Sequence, residues 1–287
     1  MTTQQLIYEK VIPVSSGRHG DCSVEVGGDF SFSRNVNSVP LMAVEFPHAA
    51  PEYPIVFAGA DNAMIPAVIL GVRNNENLYL SKDGKWQAKY IPAFIRRYPF
   101  VFSNSQDGKT FTLCIDEDFP GFNREGRGQR LFDQEGKPTP FVNEVLKFLQ
   151  DYRAQFMRTQ AFCKKLTELD LLVPMQAQFT LTAGEKMSLS GFKAVDRKKL
   201  TSLPGDTLAE LAKTDELELL YLHLQSMRNF SSVSNRMVVI EGGKKDEPGT
   251  QEAGKEETAD LLSEQNEGES KANAKGFKKF LNRGKDK

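Results

Sequence analysis

Prolines set the strongest constraint on this 287-residue chain, and two of them fall where its aromatic residues are densest. The segment Trp86–Phe102 holds the one tryptophan together with Pro92 and Pro99. A proline offers no backbone N–H to a ladder, so this segment cannot form one uninterrupted central strand. Upstream, Tyr53-Pro-Ile-Val-Phe57 and Ile65-Pro-Ala-Val-Ile-Leu70 are β-branched and aromatic runs that each end near glycine, and they read as buried strands. Asparagine tolerates left-handed backbone angles, so Asn74–Asn77 predicts a turn. Leu78–Leu80 then resumes an extended pattern as the second arm of a hairpin, and Ser81–Gly84 turns the chain again.

The remaining elements follow from local signals. Residues 1–50 read as short strands and loops. Asp107-Gly108 predicts a hairpin between Tyr98–Ser103 and Thr110–Ile115. Residues Asp116–Pro140, where four glycines interleave with Arg124, Arg127 and Arg130, read as a surface loop. Thr139-Pro140 has the residue types of a helix cap and first turn. Val142, Val145, Leu149, Tyr152, Phe156, Cys163 and Leu166 continue at spacings of three and four, with Thr159 the one polar member. The prediction is a long amphipathic helix to about Asp170, ended by Pro174. Gln176–Leu181 and Lys186–Leu189 predict a second hairpin around Ala183-Gly184. Small helices follow, capped by Asp196, by a Thr207/Glu210 box and by Asp215, the last with Leu217, Leu220, Tyr221, Leu224 and Met227 on one face. The fold class is α+β: a mostly antiparallel β-rich N-terminal half, a long central helix, then a β-hairpin and small helices.

Charge divides the chain at about residue 240. Residues 1–240 carry 27 acidic and 27 basic side chains, so no global field draws this body to nucleic acid. Residues 246–269 hold nine acids and one lysine, whereas residues 271–287 hold seven basic residues and one aspartate. With few apolar residues to offset ordering entropy, 241–287 is expected to be disordered. Lys275, Phe277, Lys278, Lys279, Phe280, Leu281 and Arg283 form an amphipathic basic cluster that can meet an anionic surface or a partner groove, fold back on the acidic segment or stay solvated. Cys22, Cys114 and Cys163 are odd in number and far apart, which fits a reducing compartment better than a disulfide framework. The first ten residues lack a signal-peptide pattern and no apolar run is long enough to span a bilayer, so a cytoplasmic location is expected.

Tyr53–Phe57, Asn77-Leu78, Trp86 with Tyr90-Ile-Pro-Ala93, Arg96-Arg-Tyr-Pro-Phe100, Cys114-Ile-Asp-Glu117 and Leu131–Gly136 together resemble the bacterial SapC family. The resemblance runs from about Val11 to about Arg236. The family takes its name from a surface-layer gene cluster. The resemblance therefore implies an accessory or binding protein linked to surface-layer or envelope processes, and it brings no catalytic residues with it.

The residues themselves offer several candidate sites. Arg96 and Arg97 present planar donor forks suited to a carboxylate or phosphate, although in an extended segment adjacent residues face opposite ways and at most one enters a pocket. The alternative is one buried arginine paired with an acid and one solvated. Asp116-Glu-Asp118 clusters carboxylates for a cation or for acid–base work, or simply ends a strand. His19-Gly-Asp-Cys22 has a loosely ligand-like spacing without the partners a zinc site needs. His223 is expected to make a structural hydrogen bond. No nucleophile elbow, phosphate loop or dinucleotide motif is present, and Cys163 lies on the apolar seam. No cofactor is implied. The reading is a non-enzymatic binding protein whose contacts are Trp86, Arg96, Arg97, Arg124, Arg127 and Arg130, for a protein or a small anionic ligand. The alternative is an enzyme that uses Arg96, Arg97, Asp116, Asp118 and His48 on a small anionic substrate.

Overall fold

The apolar runs at 55–58 and 65–69 pair with each other as an antiparallel hairpin, and the larger of two cores forms around them. The computed structural model describes residues 6–60, 63–104, 110–180 and 186–242. Its strands are β1 (Val11–Pro13), β2 (Ser23–Val24), β3 (Ser38–Pro40), β4 (Ile55–Ala58), β5 (Ile65–Ile69), β6 (Phe100–Asn104), β7 (Phe111–Asp116), β8 (Phe122–Asn123), β9 (Gln129–Arg130), β10 (Leu172–Thr180) and β11 (Lys186–Val195). Its helices are α1 (Ser16–His19), α2 (Phe46–Ala49), α3 (Ala93–Arg96), α4 (Pro140–Glu168), α5 (Arg197–Thr201), α6 (Gly205–Lys213), α7 (Glu216–Ser226) and α8 (Phe230–Gly242). Three antiparallel sheets result, ordered β1-β7-β6, β10-β11-β4-β5-β3 and β8-β2-β9. The fold is α+β.

Every residue of β4 and β5 is buried. Their runs lack the polar alternation of a strand with one wet face because α4 packs against β5, and α7 against β4 and β11. Each enclosed Ile, Val or Phe side chain contributes about 1.5–3 kcal/mol relative to exposure. The second core joins Cys22, Val24, Phe100, Ile115, Leu131 and Phe132. Helix α4, 29 residues and therefore roughly 43 Å long, supplies Val142 and Leu149 to that core and Phe162, Cys163 and Leu166 to the larger one. Thr159 is buried on this helix because its hydroxyl accepts the Ala43 N–H at 2.9 Å and donates to the Gln155 carbonyl at 2.7 Å. The one polar member of the seam is thereby satisfied.

His223 is fully buried on α7 and joins two strands of the central sheet. The Val195 N–H donates to Nε2 at 3.0 Å, while Nδ1 lies 2.8 Å from the Ile55 carbonyl. Only a neutral ring protonated at Nδ1 satisfies both. Ser226 Oγ, one turn on, accepts the Ile55 N–H at 3.0 Å, so α7 serves both backbone groups of the residue that opens β4.

Several local expectations are corrected. Leu78–Leu80 is not a strand. Leu78 N–H donates to the Leu70 carbonyl at 2.8 Å and Leu80 bridges Trp86, because β5 already pairs with β3 and β4. The 116–140 region is more than a surface loop: β8 and β9 both pair with β2, and Leu131 and Phe132 are buried. Helix α4 ends at Glu168 before a left-handed Asp170, and Pro174 lies within β10. Thr139 occupies the cap position, yet its hydroxyl donates to the Arg130 carbonyl. Thr207 and Glu210 lie inside α6, whose cap is Pro204, and Asp215 precedes α7 in a left-handed conformation without a side-chain cap. Asp196 does cap α5, accepting from the Lys198 and Lys199 N–H groups. Helix α8 follows the last helix expected from the sequence. The turns at Asp107-Gly108 and Ala183-Gly184 lie outside the described residues, as does 243–287, which includes the Lys275–Arg283 cluster. Among the described residues no helix is long and apolar enough to cross a membrane.

Burial pushes the His223 pKa from the ordinary 6.5 down to about 4. The unfolded chain then binds the extra proton first, so this residue's contribution is complete above pH 6.5 and is lost as pH falls toward 4. Wild-type protein is expected to lose roughly 2–3 kcal/mol through this residue between pH 7.5 and 4.5. Urea unfolding of wild type and His223→Asn at both pH values checks this: the variant should lack that component, and an unchanged pH slope would contradict it.

Candidate functional site

The segment from Trp86 to Tyr98 is held in place by hydrogen bonds at nearly every step. Glu52 accepts the Lys89 and Tyr90 N–H groups at 2.9 and 2.8 Å. The Tyr53 hydroxyl donates to the Tyr90 carbonyl and accepts from Trp86 Nε1 at 2.8 Å. Glu45, buried at 4% exposure, accepts three donors: the Met42 N–H at 2.8 Å, the Ala93 N–H at 2.7 Å and the Tyr90 hydroxyl at 2.7 Å. Burial pushes the Glu45 carboxyl up, while these donors and the charge of Arg96 pull it down. Pro92 fixes the entry to α3, a single turn that ends in the two arginines.

That turn separates Arg96 from Arg97. Tyr90–Ile95 is not extended throughout, so the two side chains diverge by helical rotation. Arg97 is buried, with its guanidinium 4.3 Å from the Phe94 ring centroid and 5.0 Å from that of Tyr152. Arg96 is exposed. Its Nε donates to the Ile91 carbonyl at 3.0 Å, and its guanidinium lies between Tyr90 at 5.8 Å and Phe148 of α4 at 5.4 Å. Cation–π contact of this kind orients the planar group while leaving its charge intact.

Two clefts meet at Arg96. The first, of 510 Å³, is walled by Phe30, Phe32, Tyr98, Phe119, Phe141 and Phe148, with Asp29, Glu144, Arg96 and Arg97 also lining it. The second, of 540 Å³, has an apolar floor and also contains Glu45, His48, Lys89, Tyr90, Asp151 and Gln155. Ile91, Arg96 and Phe148 belong to both, so the clefts form one groove along α4 from Phe141 to Gln155, roughly 21 Å at helical rise. The Phe30–Phe32 wall is anchored on the Ser81–Gly84 turn. Phe30 N–H donates to the Gly84 carbonyl at 2.8 Å, and a Cβ on Gly84, at φ +77°, would meet Asp29 and Ser31 side-chain oxygens within 2.3 Å. His48 stacks on Tyr90 with ring centroids 5.4 Å apart.

The other candidates lie elsewhere. Trp86 lines neither cleft. Its ring N–H is taken by Tyr53 and by the Tyr90 carbonyl, and it supports the groove from behind Tyr90. Arg124 pairs with Asp21, Arg127 with Glu25 and Glu125, and Arg130 donates to the Gly20 carbonyl, so these three arginines tie the 121–131 segment to residues 20–25. Asp118 is exposed. Glu117, between Asp116 and Asp118, receives Arg18 through two bonds of 2.6 and 2.8 Å, Lys10 at 3.0 Å and the buried His19 at 3.2 Å. These partners, Arg18 foremost, hold its carboxyl down at about 2. His19 Nδ1 accepts the Ser15 N–H, so this histidine is part of a structural knot. The three cysteines are free and buried, and burial pushes Cys163 up to about 12. Among the described residues no group of three or more His, Cys, Asp or Glu side chains can hold a metal ion.

Sequence reasoning missed Glu45, Tyr90 and Phe148. Phe141 and Phe148, seven residues apart and beside the apolar seam, were the available signal for an aromatic wall. Glu45 carried none, because its partners are up to 48 residues distant.

Asp116 is fully buried and accepts the N–H groups of Glu9, Lys10 and Asp118 at 2.9, 2.9 and 3.2 Å and the Tyr98 hydroxyl at 3.3 Å. Asp116→Ala leaves those donors unmet and is expected to lower stability by about 3 kcal/mol in urea unfolding. A change below about 1 kcal/mol would contradict this structural role.

A family model described as SapC matches residues 14–233, most of the chain. Neither a curated protein nor a solved structure matches at a significant level. The chain belongs to the SapC family.

Proposed function

We propose that this chain is a non-enzymatic SapC-family accessory protein that binds its ligand or partner through an anionic group placed on Arg96. The observation that supports this reading is the position of one exposed guanidinium on the wall common to two clefts, over the rings of Tyr90 and Phe148. Arginine stays charged at any physiological pH, and its fork matches paired oxygens. Two buried acids are already engaged and are not free for proton transfer. Glu45 is committed to three donors, and Asp116, from the other acidic cluster, to four. The exposed edge with Arg124, Arg127 and Arg130 is a secondary contact for an acidic partner, and the Lys275–Arg283 cluster a contact for an anionic surface. The cellular setting we propose is the bacterial cytoplasm, in a process linked to the surface layer or envelope.

A second reading, an enzyme acting on a small anionic substrate, draws support from His48, which shares the second cleft with Arg96 and Asp151. One experiment separates the two. A panel of small monoanions and their neutral isosteres is added to wild type and to Arg96→Gln, and unfolding temperature and ligand recovery are both measured. Binding at 100 times Kd stabilises by about 2.7 kcal/mol. Monoanions but not isosteres should raise the wild-type transition, Arg96→Gln should abolish the effect, and the ligand should be recovered unchanged. A chemically altered ligand would favour the enzyme reading, and equal stabilisation of the variant would contradict the role given to Arg96.

A further inference from the structure

We infer that the ligand is an aryl-substituted monocarboxylate, with its ring in the first cleft and its carboxylate on Arg96. This rests on the assignment of Arg96 as the anion contact and adds the chemistry of the rest of the ligand. The first cleft is walled by aromatic rings already in contact with one another: Phe32 stacks on Tyr98 at 4.2 Å, Tyr98 meets Phe119 edge-on at 5.3 Å, and Phe30 tilts against Phe32 at 6.2 Å. Phe148 lines the cleft beside Arg96, whose guanidinium lies over its ring at 5.4 Å. A ligand ring continues this array by edge-to-face contact, which a saturated ring of equal size cannot do, because the preference comes from the aromatic quadrupole.

The charges around the same cleft limit the anion. Asp29 and Glu144 line it opposite in sign to Arg96 and the buried Arg97, so two carboxylates already balance the two guanidinium groups. The Ser31 side chain and N–H hold the Asp29 carboxyl low, so it is ionised at neutral pH. A phosphate monoester, carrying close to two charges, meets two carboxylates, whereas a monocarboxylate satisfies the arginine fork with one. From the carboxylate the second cleft continues the groove past Lys89 and Gln155, with room for polar substituents or a short peptide chain. The same chemistry has two sources, a free aryl acid or the C-terminal aromatic residue of a peptide.

Titration calorimetry with defined probes tests this. 3-Phenylpropionate should bind at least about fivefold more tightly than 3-cyclohexylpropionate. It should bind at least about tenfold more tightly than 3-phenylpropionamide and more tightly than 2-phenylethyl phosphate. Arg96→Gln should lose the acid-over-amide preference, with Arg96→Lys intermediate because it keeps the charge and loses the fork. N-acetyl-Gly-Phe beside its C-terminal amide separates the sources: preference for the free acid over this peptide assigns a small molecule, and the reverse assigns a peptide terminus. Equal affinity of the phenyl and cyclohexyl acids, or tighter binding of the phosphate, overturns the ligand class while leaving Arg96 as the anion contact. Loss of the acid-over-amide preference in wild type overturns Arg96 itself, and absence of binding by every probe overturns the proposal.

Discussion

One buried carboxylate sets the geometry of the groove. Glu45 takes the Met42 N–H from its own turn, and the Ala93 N–H and Tyr90 hydroxyl from a segment almost fifty residues on. A carboxyl group at this depth is costly without partners, and burial outweighs its hydrogen bonds in pushing its pKa up, so the three donors are needed together to offset the cost of burying it. Their joint requirement fixes where α3 begins and how the Tyr90 ring lies. The position of Arg96, one helical turn later, follows from those two facts.

Helix α4 supplies the opposite wall and the continuity between cores. Its N-terminal half packs with the β1-β7-β6 sheet and its C-terminal half with the five-stranded sheet, while Phe141 and Phe148 border the groove. Because both cores grip the same helix, a shift of α4 along its axis would disturb each at once. That rigidity suits a preformed site, where ordering costs on binding are small. On this account the polar residues divide by task. Glu45, Glu52, Asp116 and Glu117 hold backbone and cations in place, and Arg96 remains exposed to the groove.

Most of the architecture was legible in the sequence where the signal is local. The runs in β4 and β5, the Thr139-Pro140 entry to α4 and the second hairpin follow from residue type and spacing within ten or so positions. What was not legible depends on distant partners. Leu78–Leu80 has strand composition but no free strand beside it, since β3 takes the open edge of β5. The glycines and arginines of 121–130 read as a loop because strands of two residues carry no periodicity, and only pairing with β2 orders them. For the site, Arg96 and Arg97 were both named from their donor chemistry, with at most one expected to enter a pocket from an extended backbone. A helical turn sets them apart instead, Arg96 exposed and Arg97 buried, and both line the first cleft. Trp86 drew attention as the one tryptophan and serves as support for Tyr90. Asp116 was a candidate acid whose donors from residues 9 and 10 no local pattern reveals.

An anion that enters the groove at Arg96, as proposed, leaves the buried Arg97 undisturbed. The arginine Nε–H resonances of ¹⁵N-labelled protein, followed by NMR during titration with a small carboxylate, test it most directly. The account predicts a saturable shift of the Arg96 signal with the Arg97 signal unmoved. A stationary Arg96 signal, accompanied by shifts at Arg124, Arg127 or Arg130, would contradict it and place recognition on the other face.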